Sequence, residues 1–404
     1  MRTVLYTGKG GVGKTTTAAA PAVVAAQRGR RTLVASADAA HSLGDVLGER
    51  LGPRPQAVAA RLDAVEVDAR QETERHWGAI RDWLTALFRS QGIEDVVADE
   101  LAMLPGIEEL TTLLAVEHYA REGGHELVVV DCAPTDAALR LLTLPEVAHA
   151  ALRLLLRLQR AISAVVTPLA RGVTGLPLPD AAVFRDAERL IFRRLHRLRE
   201  RVTAPETTVR LVVTAERMVI DEAERAHTDL ALFDVARDAV VLNRVLPEEA
   251  AREPWFREWA RLGEERRREV AEAFAPLPVL EGPLAEDEVI GREALARHAE
   301  RLFAGLEPDA VLCATPGLRF DAEADGGVTL QLPLPHVQAS ALDVAKHDDR
   351  LLVATPTRRR AVPLPRAAVR MDLARARLED GVLHVRLAPP PASPASGPDE
   401  AASR

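Results

Sequence analysis

The chain has 404 residues, 47 % of them hydrophobic and 28 % charged, with a formal net charge of −8. That length exceeds one ordinary core and points to two domains, or one large domain with an appendage, while the acidic balance lacks the overall basic field of bulk nucleic-acid binding, so no nucleic-acid partner is expected. Two cysteines, Cys132 and Cys313, form no CxxC; neither a disulfide framework nor a zinc site is expected, and a reducing cytoplasm fits.

In chain order, a first strand at Thr3 to Tyr6 runs into Gly8-Lys9-Gly10-Gly11-Val12-Gly13-Lys14-Thr15-Thr16. With the fold starting this early, no signal peptide is expected. The glycines let the backbone turn tightly and bring successive N–H groups onto phosphate oxygens. Lys14 would reach the β and γ phosphates, Thr15 would place its hydroxyl on Mg²⁺, and the helix from about residue 14 would aim its positive end at the anion. The chain has three lysines, Lys9, Lys14 and Lys346, against 49 arginines. Two of the three stand in this loop, where a compact, flexible ammonium is needed rather than a planar fork. The loop therefore predicts a bound nucleoside triphosphate, ATP or GTP.

Further buried strands are expected at Thr32 to Ser36, Glu126 to Asp131, Thr208 to Thr214, Ala239 to Asn243 and Pro278 to Leu280. Continuous apolar runs imply a mostly parallel sheet covered by helices on both faces, with the ligand at the carboxyl ends of the strands. Asp38 follows the second run and Asp131 ends the next, so both would emerge at that edge. Asp131 would hold Mg²⁺ or its waters, and Asp38 would orient or deprotonate the attacking water. Thr15, Asp38 and Asp131 make up the expected Mg²⁺ set, with a helix cap or turn as the plain alternative for either aspartate. Two helical insertions are expected, at about 70–122 with Trp77, Ile80, Trp83, Leu84, Leu87 and Phe88, and at about 145–205 with a Leu155, Leu158, Ile162, Val165, Leu169 stripe. Each would either pack into its own domain or form part of a groove for a hydrophobic segment. The most apolar stretch, Ala150 to Ala170, is interrupted by Arg153, Arg157 and Arg160, so no membrane span is expected.

Beyond about residue 315 the pattern changes to short strands at Gly317 to Asp321, Val328 to Leu332, Ala341 to Ala345, Leu351 to Thr355, Ala361 to Leu364 and Val382 to Leu387. Turns at Gly326-Gly327, Asp348-Asp349 and Asp380-Gly381 separate several of them. The expected division is 1–312, an α/β nucleotide domain; 315–388, a small all-β domain; and 389–404, a Pro-, Ala- and Ser-rich disordered tail. Arg358 to Arg360 reads as a solvated edge or turn.

The loop with its extra Lys9, Asp38-Ala39-Ala40-His41-Ser42 and Asp131-Cys132-Ala133-Pro134-Thr135-Asp136-Ala137 together resemble the deviant P-loop and two switches of the arsenite-pump and tail-anchored-protein targeting ATPases (ArsA type). The likeness continues through Leu242-Asn243-Arg244-Val245-Leu246-Pro247 and Gly282-Pro283-Leu284, over roughly the first 310 residues. It implies a homodimeric, Mg²⁺-dependent ATPase. Asn243, Pro283 and Leu284 would hold adenine, and Lys9 would cross to the partner's nucleotide. Ser42 stands where the family usually has asparagine, and Thr135-Asp136-Ala137 where Thr-Gly-His is common. Residues 358–365 and 376–385 are similar to the small heat-shock, or α-crystallin, β-sandwich, which a subgroup of the family carries at its C-terminus. The function so implied is a nucleotide-driven clamp for hydrophobic protein segments or membrane-protein tails. It would be cytoplasmic, or peripheral at the membrane through a receptor or pump. The alternatives are the energising ATPase of an arsenite or oxyanion exporter and a partition-type positioning ATPase.

Overall fold

The computed structural model describes residues 1–38, 42–90, 107–132 and 195–390. His41, the second switch at 135–137, the Leu155-to-Leu169 stripe and nearly all of the 389–404 segment lie outside the described residues. The chain divides into two compact units, Met1–Pro316 and Gly317 onward.

In the first unit β1 (Arg2–Thr7) leads into α1 (Lys14–Gln27), β2 (Thr32–Ser36), α2 (Leu43–Leu47), β3 (Gln56–Ala59), β4 (Leu62–Glu66) and α3 (Ala69–Ser90). Then come α4 (Ile107–Glu122), β5 (Leu127–Asp131), α5 (Leu195–Val202), β6 (Thr207–Val213) and α6 (Arg217–Leu232). The unit closes with β7 (Arg237–Val245), α7 (Glu248–Arg252), α8 (Arg257–Ala273), β8 (Val279–Pro283) and α9 (Arg292–Phe303). The strands form one sheet ordered β3-β4-β2-β5-β1-β6-β7-β8. Only β3 runs antiparallel to its neighbour. Every residue of β2, β5 and β6 is buried, as a sheet covered on both faces requires.

All six expected strands are present, with ends moved by at most three residues. The β3–β4 hairpin is an addition. Its sequence, Gln-Ala-Val-Ala-Ala-Arg-Leu-Asp-Ala-Val-Glu, is alanine-rich and has no Asn-Gly or Asp-Gly signal at its turn, where Arg61 takes the positive φ instead. In the first insertion α3 and α4 meet through a buried 2.8 Å hydrogen bond between the Thr73 and Thr111 hydroxyls.

The second unit holds β9 (Arg319–Ala322), β10 (Val328–Pro333), β11 (Asp343–His347), β12 (Arg350–Ala354), β13 (Arg359–Pro363), β14 (Asp372–Glu379) and β15 (Val382–Ala388). They form antiparallel sheets ordered β14-β15-β10-β9 and β11-β12-β13. Alternate residues line the core: Leu330 and Leu332, Leu351 and Val353, Leu383 and Val385. The β14–β15 turn has Asp380 and Gly381 both at positive φ, the geometry that an Asp-Gly pair favours. β14 escapes the strand pattern because its residues are mostly exposed and alternate alanine with arginine. Arg360 corrects the reading of 358–360 as a solvated edge: on β13 it shares the inward face with Val362 and is buried.

Beneath the first unit's sheet lies a knot of charge. Arg210 on β6 is fully buried and donates to Asp238 on β7 at 3.1 Å, to the Tyr6 hydroxyl on β1 at 2.9 Å and to the Pro308 carbonyl at 2.8 Å. Arg2 reaches the same Asp238 at 2.8 Å, and Asp238 also accepts the Leu312 backbone N–H at 3.3 Å. Three strands and the segment after α9 are thereby tied together next to the strand that launches the phosphate loop. Removing one member of a buried, hydrogen-bonded ionic group strands its partners without solvent. Arg210→Met should therefore lower the unfolding free energy by about 3 kcal/mol, read as a shift of the denaturant midpoint. A loss under about 1 kcal/mol would show the knot to be energetically idle.

Candidate functional site

Register places the site. Tyr6 on β1 and Ser36 on β2 both lie opposite Asp131 on β5, so three strands end level and release the phosphate loop, Asp38 and Asp131 at one edge. Gly13, at φ 89°, caps the start of α1; a Cβ there would meet the Asn243 side-chain nitrogen at 2.4 Å, so only glycine fits. The helix then presents Lys14, Thr15 and Thr16 in its first turn, and Thr17 steadies it by donating to the Gly13 carbonyl at 3.0 Å. Ala18 to Ala26 are buried, which seats the helix close against the sheet and α9.

The polar groups converge on Thr15. Its hydroxyl donates to Asp131 Oδ2 at 2.7 Å and lies 3.0 Å from the Ser42 hydroxyl. The Lys14 ammonium, only 6 % exposed, bonds the Lys9 carbonyl at 3.3 Å and stands 4.0 Å from Asp38 Oδ2. Asp38 is held by a 3.3 Å bond from its backbone N–H to the Ser36 hydroxyl. Asp131 is fully buried, and its Oδ1 has no hydrogen-bond partner among the described residues. Burial pushes the Asp131 carboxyl up to about 6; the Thr15 hydrogen bond and Lys14 pull it down, while Asp38 adds to the rise. Buried oxygen donors with an unsatisfied carboxylate oxygen fit a small hard cation such as Mg²⁺. Thr15, Ser42 and Asp131 would hold it directly or through water, with Asp38 alongside.

The structure thus brings together Gly8 to Thr16, Asp38 and Asp131. Asn243 also arrives, buried, with its amide donating to the Val12 carbonyl at 2.8 Å, and Gly282 lies opposite it because a Cβ there would fall 2.6 Å from the Asn243 oxygen. Pro283 ends β8 rather than lying in a loop, and Leu284, half exposed, bonds back to the Val245 carbonyl at 2.8 Å. Sequence reasoning recorded Ser42 only as a departure from a family pattern; its hydroxyl is a site group. The Asn243 clamp on Val12 was invisible because 231 residues separate the two. Lys9 is half-buried, and its ammonium has no partner among the described residues.

Comparison with known proteins follows this geometry. A family model described as "Anion-transporting ATPase" matches residues 1–304, and one described as "HSP20-like domain found in ArsA" matches residues 325–387. An Aquifex aeolicus (strain VF5) protein named "Putative arsenical pump-driving ATPase 1" is 33 % identical over 389 residues, 94 % of this chain and 98 % of the relative. A Streptomyces coelicolor protein named "Uncharacterized protein SCO2128" is 34 % identical over 408 residues, 97 % of this chain and 98 % of that protein. The "ATPase get3" of Aspergillus terreus is 27 % identical over 320 residues, 75 % of this chain and 90 % of the relative.

Two measurements test the geometry. Since the folded chain holds Asp131 near 6 against an unfolded value of about 3.9, the folded state binds the extra proton between those values and loses stability as pH rises through them. Nucleotide-free Asp131→Asn should therefore be more stable than wild type above pH 6, by on the order of 3 kcal/mol, with the two converging near pH 4. Equal stability at pH 7.5 would refute a strained carboxylate. For Asn243→Ala, a released Val12 carbonyl should weaken ATP and GTP alike, by roughly tenfold. Weakening confined to ATP would assign Asn243 to adenine instead.

Proposed function

The chain belongs to the anion-transporting ATPase family, is an ATPase, and, we propose, works as a homodimer that nucleotide closes around hydrophobic protein segments, a chaperone or membrane-protein targeting clamp. The observation that carries the dimer is Lys9. Its half-buried side chain stands on the phosphate loop with no partner among the described residues, while Lys14 beside it is buried and bonds the Lys9 carbonyl and Asp38. A second copy's phosphates would supply the missing anion. The HSP20-like match, by its likeness to a small heat-shock fold, supports a protein client over a metalloid.

Chemically, the loop's backbone N–H groups hold the phosphates and Lys14 neutralises them from its buried position. Bound Mg²⁺ would supply charge neutralisation at the transferring phosphoryl group. Asp38, at the mouth of the site, orients the attacking water and accepts its proton. Lys9 adds a cation in trans as charge develops. Peripheral membrane placement would come through a partner: among the described residues no helix is long and apolar enough to cross a membrane.

A second reading, an energising ATPase for an oxyanion exporter, has the name of the Aquifex relative in its favour. Trivalent arsenic would need accessible thiolates, and burial pushes the Cys132 thiol far above its usual range.

Lys14→Ala should abolish nucleotide binding. Asp38→Asn should keep binding and lose turnover by about 10²–10⁴-fold, and Lys9→Ala should keep binding and lose turnover by about a hundredfold or more. Mixing the last two in equal amounts builds heterodimers with one intact composite site, which should restore about a quarter of wild-type activity. No recovery on mixing in subunits shown to exchange would remove Lys9 from the partner's site.

A further inference from the structure

The segment after α9 crosses the amino ends of β1 and β7, the edge opposite the phosphate loop. Arg2 takes the Asp309 carbonyl at 3.1 Å, Arg210 takes the Pro308 and Ala310 carbonyls, and Asp238 accepts the Leu312 N–H. Past Leu312 the hold loosens. Thr315 accepts the Arg237 backbone N–H at 3.3 Å, and the Cys313 thiol, half-buried, meets only the Pro276 carbonyl, at 3.8 Å. Beside them stands Arg237, the first residue of β7 and 4 % exposed. One of its terminal nitrogens donates to the Val235 carbonyl at 2.8 Å, but its Nε–H has no partner among the described residues. Burial pulls this guanidinium down to about 10, against the charges of Asp234 and Cys313, which raise it. A buried donor in that state is relieved by any oxygen brought within its reach.

We propose that Cys313 is a site of oxidation by hydrogen peroxide, and that the oxygen of the resulting sulfenate accepts the Nε–H of Arg237. A thiol sulfur is a weak acceptor, whereas an anionic oxygen is a strong one for a guanidinium. In the step itself the Cys313 sulfur attacks one peroxide oxygen, an S–O bond forms as the O–O bond breaks, and the departing hydroxide takes up the thiol's proton as water. Sulfur gives up an electron pair and the peroxide gains it. Exposure selects the cysteine. Cys132 is buried just past the carboxyl end of β5, while Cys313 is open to solvent at the amino edge. The chain has no other cysteine, and these two stand at opposite edges of one parallel sheet, so the sulfenate finds no thiol of its own chain with which to condense. The added oxygen fastens the loose end of the strap to β7. Oxidation here stiffens the edge rather than disrupting it.

The experiment treats the reductant-free full chain with hydrogen peroxide. One portion is trapped with dimedone, which captures sulfenic acids, and mapped by peptide mass spectrometry; the other is melted untrapped. Dimedone should mark Cys313 at least about tenfold more than Cys132. Oxidation should raise the wild-type melting temperature by about 3 °C and leave that of Cys313→Ser unmoved. Arg237→Met strands only the Val235 carbonyl, so it should fold, still take dimedone at Cys313, and lose the rise. Arg237→Gln, which keeps a polar head without the Nε–H, answers the same question should the methionine variant not fold. Equal labelling of the two cysteines, or none at Cys313, overturns the site. A melting temperature that falls on oxidation, or a rise that survives in an Arg237 variant, overturns the bond to Arg237 and the proposal with it.

Discussion

Asp131 is a carboxylate without exposure at the end of a central strand, and a charge in that position has to be answered by its surroundings. β5 lies between β2 and β1, and the answer comes from the phosphate loop that β1 releases, with Lys14 and Thr15, while Asp38 after β2 adds a like charge. One oxygen is met by Thr15, and the other faces the site unpaired. The residual strain appears as a carboxyl raised to about 6. Under the proposed function, the group that destabilises the ligand-free fold is the one that would favour a cation where phosphates bind.

A second buried charge does different work. Arg210 and Asp238 are both without exposure, yet their group is closed: guanidinium, carboxylate, phenol and carbonyls satisfy one another. Tyr6, one end of this knot, is two residues before Gly8, so the strand that aims the loop is anchored from below while Asn243 holds Val12 from the side. Rigid support of this kind lets the loop present its N–H groups without reorganising as charge develops. Buried ionic groups seldom add net stability; here the network links β1, β6, β7 and the segment after α9.

The outer surface follows another logic. Ion pairs such as Arg261 with Glu258 are exposed and contribute little stability, but they set the charge pattern around the aromatic turn at Trp255. In the second unit the pattern is ordinary sandwich chemistry, with leucines and valines inward on β10, β12 and β15 and Asp-Gly turns at the ends. Its HSP20-like match gives it a family.

Much was legible in the chain itself, because local physics wrote it locally. The phosphate loop is contiguous and needs glycines that no other function requires in that order; six buried strands announce themselves as apolar runs, and the β-domain's turns by Asp-Gly and Gly-Gly pairs. Asp131 was legible as a strand end beside such a loop. The β3–β4 hairpin, β14 and the inward turn of Arg360 were not, because alanine and arginine carry no period that separates helix, strand and surface. Nor could the residues say that Ser42 stands beside Thr15, that Asn243 clasps Val12, or that Arg210, Tyr6 and Asp238 meet. Those contacts join segments from 27 to 231 residues apart, and only the order and register of the sheet decide which side chains become neighbours. Exposure was likewise undecidable from sequence: a tryptophan is usually buried, and only the fold leaves Trp255 and Trp259 outside.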